Sequence, residues 1–404
     1  MGLGSAGRTG RMSSGSLVVK RQVTRPAARG RLPIVLALIG VLLLTGAILA
    51  VAPAAHADLP PAPTYTTIAG MANNWGSADG TGSAARFYEP LAMAVDPDGN
   101  VFITDIWNST IRRMTPDGVV TTVAGTALRS WADGTGAGAA FYCPAAICYS
   151  KHDDCFYIAD TYNQCVRKMT RDYAVTTIAG LHGSQGIQDG TGTGARFRQP
   201  WGIACAPDGT IYVADTDNHT IRKVTPAGVV TTLAGSAGAI GSQDGTGSNA
   251  RFDSPTGVAV DAAGTVYVGD RDNHTIRAIT PAGVVTTLAG SAGISGSDDG
   301  LGSAARFFMP WGIGCDPAGN VFVADCRNST IRRITPSGMT TTVGGTAGVP
   351  GSIDGVGTAA RFYSPYTVAF HSDGTGYVGD ANWVVRKVTG AAEQIGRASC
   401  RERV

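Results

Sequence analysis

From Thr210 to Ala214 the chain reads TIYVA, apolar at nearly every position, so an extended segment here is apolar on both faces. A half-exposed strand would alternate apolar with polar residues, whereas a two-sided apolar run predicts a strand sandwiched between layers. Runs of similar character flank it at Gly202–Ala206, Thr220–Val224 and Val229–Ala234. Pro207-Asp208-Gly209 and Pro226-Ala227-Gly228 separate them. Proline presets the first corner of a turn and glycine supplies the positive φ that closes a hairpin. The pattern therefore predicts four short antiparallel strands, covered on both faces.

That unit repeats. The Asp after the second run recurs at Asp105, Asp160, Asp215, Asp270, Asp325 and Asp380, always 55 residues apart. An Asp-Gly pair recurs at Asp79, Asp133, Asp189, Asp244, Asp299 and Asp354, and a proline at Pro90, Pro144, Pro200, Pro255, Pro310 and Pro365. Six small sheets, each covered on both faces by its neighbours, are the blades of a β-propeller. The expected fold class is all-β, a six-bladed β-propeller. The fourth-strand sequence TT(I/V/L)AG also appears at Thr66–Gly70, ahead of any first strand, while the sixth unit ends at Val388-Thr389-Gly390 after its third. The N-terminal strand is therefore expected to complete the last blade from outside, hiding both sheet edges.

The string P-x-G-x-A-x-D-x-x-G-x-(V/I)-(Y/F)-(V/I)-(A/T/G)-D-x-x-N-x-(T/C)-I-R-(R/K), recurring six times over about residues 64–390, resembles the NHL repeat. The second unit departs from it, with Ser150-KHDD-Asp154 in place of the Asp-Pro-x-Gly turn, and each unit carries a longer glycine-rich insertion, typically G-S-x-D-G-T-G-x-x-A-R-F. The resemblance implies a ring that presents loops to a ligand. One NHL-like group, the peptidyl-amidoglycolate lyases, holds a catalytic zinc with histidines, so a channel-metal-dependent lyase or hydrolase is the alternative. Such a site needs several histidines converging from different blades. Only His219 and His274 share a repeat position, in the turn sequence Asn-His-Thr.

Composition changes the picture at the ends. Glycine, at 56 residues, is about twice ordinary usage and suits many tight turns. Residues 1–57 hold seven basic side chains and no acid, followed within that span by an apolar run from Leu32 to Ala52 and by Ala55-His56-Ala57. This is expected to be a signal peptide cleaved before Asp58, or else a membrane anchor, with the ring outside the cytosol in either case. Without that segment 25 basic residues face 30 acidic ones, a poor match for nucleic acid. Asp58–Pro63 is expected to be a spacer, 391–404 a tail, and Ile395–Val404, which repeats nothing upstream, an adapter-derived artefact.

Candidate chemistry is sparse. No catalytic residue, resident metal or cofactor is expected; calcium in the Asp-Gly-Thr-Gly loops is entertained, with an internal pair between that Asp and the nearby Arg86, Arg196, Arg251, Arg306 or Arg361, or a turn bond, preferred. The six Asp of the 55-residue period are expected to accept bonds from turn amides. Cys148 and Cys155 flank one hairpin and are expected to form a disulfide, while Cys205 and Cys315 are expected to be buried small hydrophobes. Asn108, Asn218, Asn273 and Asn328 head glycosylation sequons, although the same Asn recurs as a turn residue. The irregular insertions single out Trp75, Trp131, Arg129 and His182 as candidate binding residues on the loop face. Trp383 is a further aromatic anchor, and Trp201 and Trp311 are assigned to the core. The expected function is a non-catalytic, monomeric platform for a protein or glycan ligand, touching a membrane only through its N-terminal segment.

Overall fold

The computed structural model describes residues 62–391. The signal or anchor segment 1–57, the cleavage point, most of the spacer 58–63, and the tail 392–404 with its adapter-like end lie outside the described residues.

Six antiparallel sheets form the blades of a propeller. The inner strands Pro90–Val95, Pro144–Ser150, Pro200–Cys205, Pro255–Val260, Pro310–Cys315 and Pro365–Phe370 pack each against the next, and the sixth against the first. They leave a channel on the ring's axis, which they line. The two-sided apolar runs do what their pattern predicts: Val213 and Ala214 are fully buried, one in the cluster shared with the second blade and one in that shared with the fourth.

Each sheet has five strands rather than the expected four. In the third blade the order from outside to centre is Gly190–Thr191, Val229–Gly235, Thr220–Val224, Ile211–Asp215, Pro200–Cys205. The extra pair of residues comes from the Asp-Gly-Thr-Gly insertion, too short to show any periodicity. Gly190 pairs with Val230, and a Cβ on Gly190 would crowd Gly194 and Ala195. The insertion thus crosses its blade from the outer edge to the inner strand.

Closure is as expected. Thr64–Gly70 lies antiparallel beside Val384–Thr389, with Thr64 opposite Thr389 and Gly70 opposite Val384. Tyr65 is fully buried there, edge-on to Phe362 at 5.0 Å. Pro63 is not spacer: it is buried, and its carbonyl accepts the Gly357 N–H at 2.8 Å.

The disulfide expectation is corrected. Cys148 pairs with Cys205 across the seam between the second and third inner strands, Cα to Cα 5.8 Å, and Cys155 is a buried thiol. Cys148 and Cys155 do not face each other in the hairpin ladder, where Cys148 opposes Tyr157 and Cys155 opposes Ser150. Cys315, at the repeat position of Cys205, keeps a free thiol.

Candidate functional site

The recurring polar residues build the frame. Asp215 closes the second strand of the third blade, and the left-handed turn at His219 brings Asn218 and Arg222 back to it. Its Oδ1 accepts the Arg198 N–H at 2.7 Å; Oδ2 accepts from Asn218 Nδ2 at 2.8 Å and Arg222 Nη1 at 2.7 Å. Arg222 Nη2 reaches Asp189 Oδ1 at 2.6 Å, and its guanidinium lies 5.2 Å over Phe197. Asp189 in turn holds the Thr232 amide and hydroxyl of the fourth strand. A buried guanidinium needs its charge matched, and here two carboxylates and an aromatic face do so. Burial pushes the Asp215 carboxyl up to about 6, against the pull of Arg222, the Arg198 amide and Asn218.

This arrangement recurs in each blade, most loosely in the sixth, where Arg386 lies 3.4 Å from Asp380 and 3.6 Å from Asp354. The insertion Asp therefore pairs with the third-strand Arg of its blade, not with the nearby Arg86 or Arg196 of the insertion. Arg196 Nη1 donates to the Ala195 carbonyl at 2.7 Å instead. The loops considered for calcium spend their carboxylates on Arg and Thr. The sequon asparagines spend both Nδ2 hydrogens likewise: Asn218, Asn273 and Asn328 are buried and each binds a loop carbonyl as well as its Asp, as does half-buried Asn108. In the folded ring these amides are turn locks, the role their recurrence outside the sequons suggested.

His219 and His274 stitch seams between blades. Nδ1 of His219 accepts the Ser254 N–H at 3.0 Å, and Nδ1 of His274 accepts that of Met309 at 3.3 Å; at the same repeat position Gln164 accepts from Gln199 N at 2.7 Å. We expect His219→Ala to cost about 1 kcal/mol of stability, one net hydrogen bond, and His219→Gln to restore most of it. Denaturant melts of the two variants check this; equal losses would show that the bond contributes nothing.

Where the frame is uniform, the channel mouth is not. The residue after each recurrent proline is Leu91, Ala145, Trp201, Thr256, Trp311 and Tyr366 in turn. These positions stand at the end of the inner strands where the insertions arrive. Trp201 meets Trp311 edge-on at 5.8 Å, although blade four lies between their blades, because Thr256 there is small. Tyr366 is 5.7 Å from Trp311, and Arg271, held by Asp272 at 2.9 Å, lies 5.2 Å over Trp311. Trp107 donates its indole N–H to Glu89. Of these, Leu91, Trp201, Trp311, Tyr366, Trp107 and Glu89, together with Arg327, bound a cavity of about 390 Å³. Below it the inner strands approach backbone to backbone: a Cβ on Gly257 would sit 2.1 Å from the Trp311 carbonyl.

Trp201 and Trp311 are therefore not core, as the sequence suggested, but half-buried mouth residues. Trp75 stacks on Tyr88 at 4.7 Å; Tyr88 lies 6.4 Å from Trp107, and Arg129 sits 5.3 Å over Trp107. Two of the expected loop residues thus lead into the mouth. Trp131 and His182 form a separate stacked pair at 5.0 Å. Trp383 packs against core residues at the seam of the sixth and first blades. Trp107 and Arg327 were missed by sequence reasoning, although each breaks the repeat two residues after its Asp. Burial pushes the mouth thiols upward, Cys143 to about 12 and Cys326 to about 11, so neither offers a thiolate at neutral pH.

Among the described residues no helix is long and apolar enough to cross a membrane, and no group of three or more His, Cys, Asp or Glu is placed to hold a metal ion.

The family described as "SMP-30/Gluconolactonase/LRE-like region" matches residues 92–237, and the NHL repeat matches residues 252–279. The chain is 28% identical over 283 residues to Protein SUPPRESSOR OF QUENCHING 1, chloroplastic, of Arabidopsis thaliana, covering 66% of this chain and 26% of that protein. It is 27% identical over 172 residues to human NHL repeat-containing protein 2, covering 39% of this chain and 24% of that one. The chain thus spans about a quarter of the length of these relatives. Among solved structures, an auxiliary nutrient binding protein from Bacteroides thetaiotaomicron shares the fold at TM-score 0.62 and 16% identity, over 81% of this chain and 76% of that one. Virginiamycin B lyase from Staphylococcus aureus does so at TM-score 0.50 and 12% identity, over 81% and 98%.

Proposed function

The chain belongs to the NHL-repeat β-propellers, and from that premise we propose that it is a non-catalytic binding platform outside the cytosol, taking a protein or glycan ligand at the aromatic mouth of its channel. One observation carries the reading. Six blades keep the same Asp, Asn, Arg and Phe frame, yet the side chains that face the mouth differ from blade to blade. Positions that build the fold repeat; positions that recognise an asymmetric ligand have reason not to. A concave, mostly apolar pocket with a few polar groups is the usual form of a binding site.

The frame acids and the two in-register histidines are already committed to structural bonds, and the mouth thiols are held protonated, which favours binding over catalysis. The metal-lyase alternative loses support from the seam bonds of His219 and His274. An oxidising compartment is supported by the Cys148–Cys205 disulfide. Nucleic acid is disfavoured because Arg112, Arg167, Arg222, Arg332 and Arg386, the first members of the basic pairs, are buried. A calcium ion would compete in the insertion loops with guanidiniums already in place.

The test is affinity capture on the purified protein, with Trp311→Ala beside it. We expect the variant to keep the melting curve and to lose at least tenfold in affinity for whatever the parent retains, as loss of a central aromatic anchor does. Equal retention by both proteins would remove the mouth from consideration.

A further inference from the structure

The geometry points to a carboxylated saccharide, a sugar ring bearing a uronic-type acid group, as the ligand class of the mouth; this rests on the platform reading above. The aspartates of the rim gather on one side, and Glu89 alone of the acids lines the cavity on the other. Asp217, Asp253 and Asp272 belong to blades three and four, and Arg198 and Arg271 there are matched, Arg198 with Asp217 at 3.7 Å and Arg271 with Asp272 at 2.9 Å. The cavity lies on the other side, walled by blades five, six and one with Trp201 facing them. On that side Arg327 and Arg129 are exposed and make no ion pair among the described residues. Arg327 lines the cavity itself.

The walls add a second requirement. Trp311 and Tyr366 meet at 64° and Trp201 and Trp311 at 90°, so their rings offer faces and edges around one space. Aromatic faces carry negative quadrupole charge, which attracts the weakly positive C–H face of a pyranose. Glu89 also lines the cavity, its carboxylate engaged from one side by the Trp107 indole N–H, and a carboxylate has further lone pairs for ligand hydroxyls. A ligand that suits all three features has a C–H face for the aromatics, hydroxyls for Glu89 and an anion for Arg327. A neutral apolar ligand would leave Arg327 and Glu89 unused. A cationic one would meet Arg327 as a like charge. Guanidinium and carboxylate pair in a forked geometry that lysine cannot match. The cavity volume, about 390 Å³, is at the small end for such sites and suits a short saccharide.

The experiment is calorimetric titration of the full chain with a uronic acid disaccharide and with the same disaccharide after its carboxyl groups are reduced to alcohols. The acid is expected to bind about tenfold more tightly, the increment of one charge-assisted pair, and added salt should narrow the gap. Arg327→Gln is expected to erase the preference while leaving the reduced sugar and the melting curve unchanged. Arg327→Lys is expected to restore only part of it. Trp311→Ala should weaken both sugars alike. Equal binding of the two sugars to the parent protein, binding of neither, or a preference that survives Arg327→Gln would overturn the ligand class. The platform reading is judged separately, by whether Trp311→Ala abolishes affinity capture, so the two can fail independently.

Discussion

A chain that begins at Met71 is expected to aggregate rather than to melt cooperatively, whereas one that begins at Ala62 should melt as the uncut protein does. Removing Thr64–Gly70 leaves the strand Val384–Thr389 with a row of unpaired amides and carbonyls, an edge open to any other chain. It also removes Tyr65, which fills the seam between blades five and six, and Ala69, which packs between blades six and one. Truncating one large buried aromatic costs about 3–5 kcal/mol. With the ladder and the Asp354–Thr67 bonds lost as well, the total reaches the 5–15 kcal/mol or so that holds an ordinary domain together. Because the lost strand links both neighbours of the sixth blade, the whole circle should loosen. Light scattering during a thermal ramp measures this. A cooperative transition at the parental temperature from the Met71 chain would show that the ring closes without its N-terminal strand.

Asp215→Ala is expected to cost about 3–5 kcal/mol, the penalty for stranding a buried charge. Arg222 is almost wholly buried, and its remaining carboxylate, Asp189, is 47% exposed and so only weakly able to compensate. The Arg198 amide and Asn218 lose their acceptor at the same time. By contrast Asp189→Ala removes the half-exposed partner and is expected to cost about 1 kcal/mol, in the range of partly solvated pairs. Urea denaturation of the two variants gives the comparison. Equal costs would mean that Asp215 contributes no more than a surface pair, and that the frame is held by Phe packing alone.

Much of this was legible in the chain because a repeated unit states each rule six times. The blade number, the inward Asp and the borrowed closing strand all follow from what recurs and from where the recurrence starts and stops. The fifth strand was not legible, since two residues of backbone pairing leave no side-chain period. Nor was the partner of Cys148: proximity along a hairpin suggested Cys155, whereas the ladder directs Cys148 toward the neighbouring blade. The mouth was hidden for a third reason. Apolar residues at a repeat position look like core, and only closure of the ring shows that Trp201 and Trp311 face an opening. The signal that would have found the site was deviation from the repeat, which singles out Trp107 and Arg327 as clearly as it singled out the insertions bearing Trp75 and Arg129.

The register of the closing pair has a mechanical consequence. Thr64 stands opposite Thr389, so the chain enters and leaves the ring at the same end of one antiparallel ladder. Tension applied to the two ends therefore loads the first hydrogen-bonded rung alone, then the next, as a zipper is opened. Shear, which loads all rungs together, would arise only if the ends emerged from opposite ends of the ladder. A ring that resists heat as a single circle is thus expected to yield under pulling one rung at a time, starting at the seam where its two ends meet.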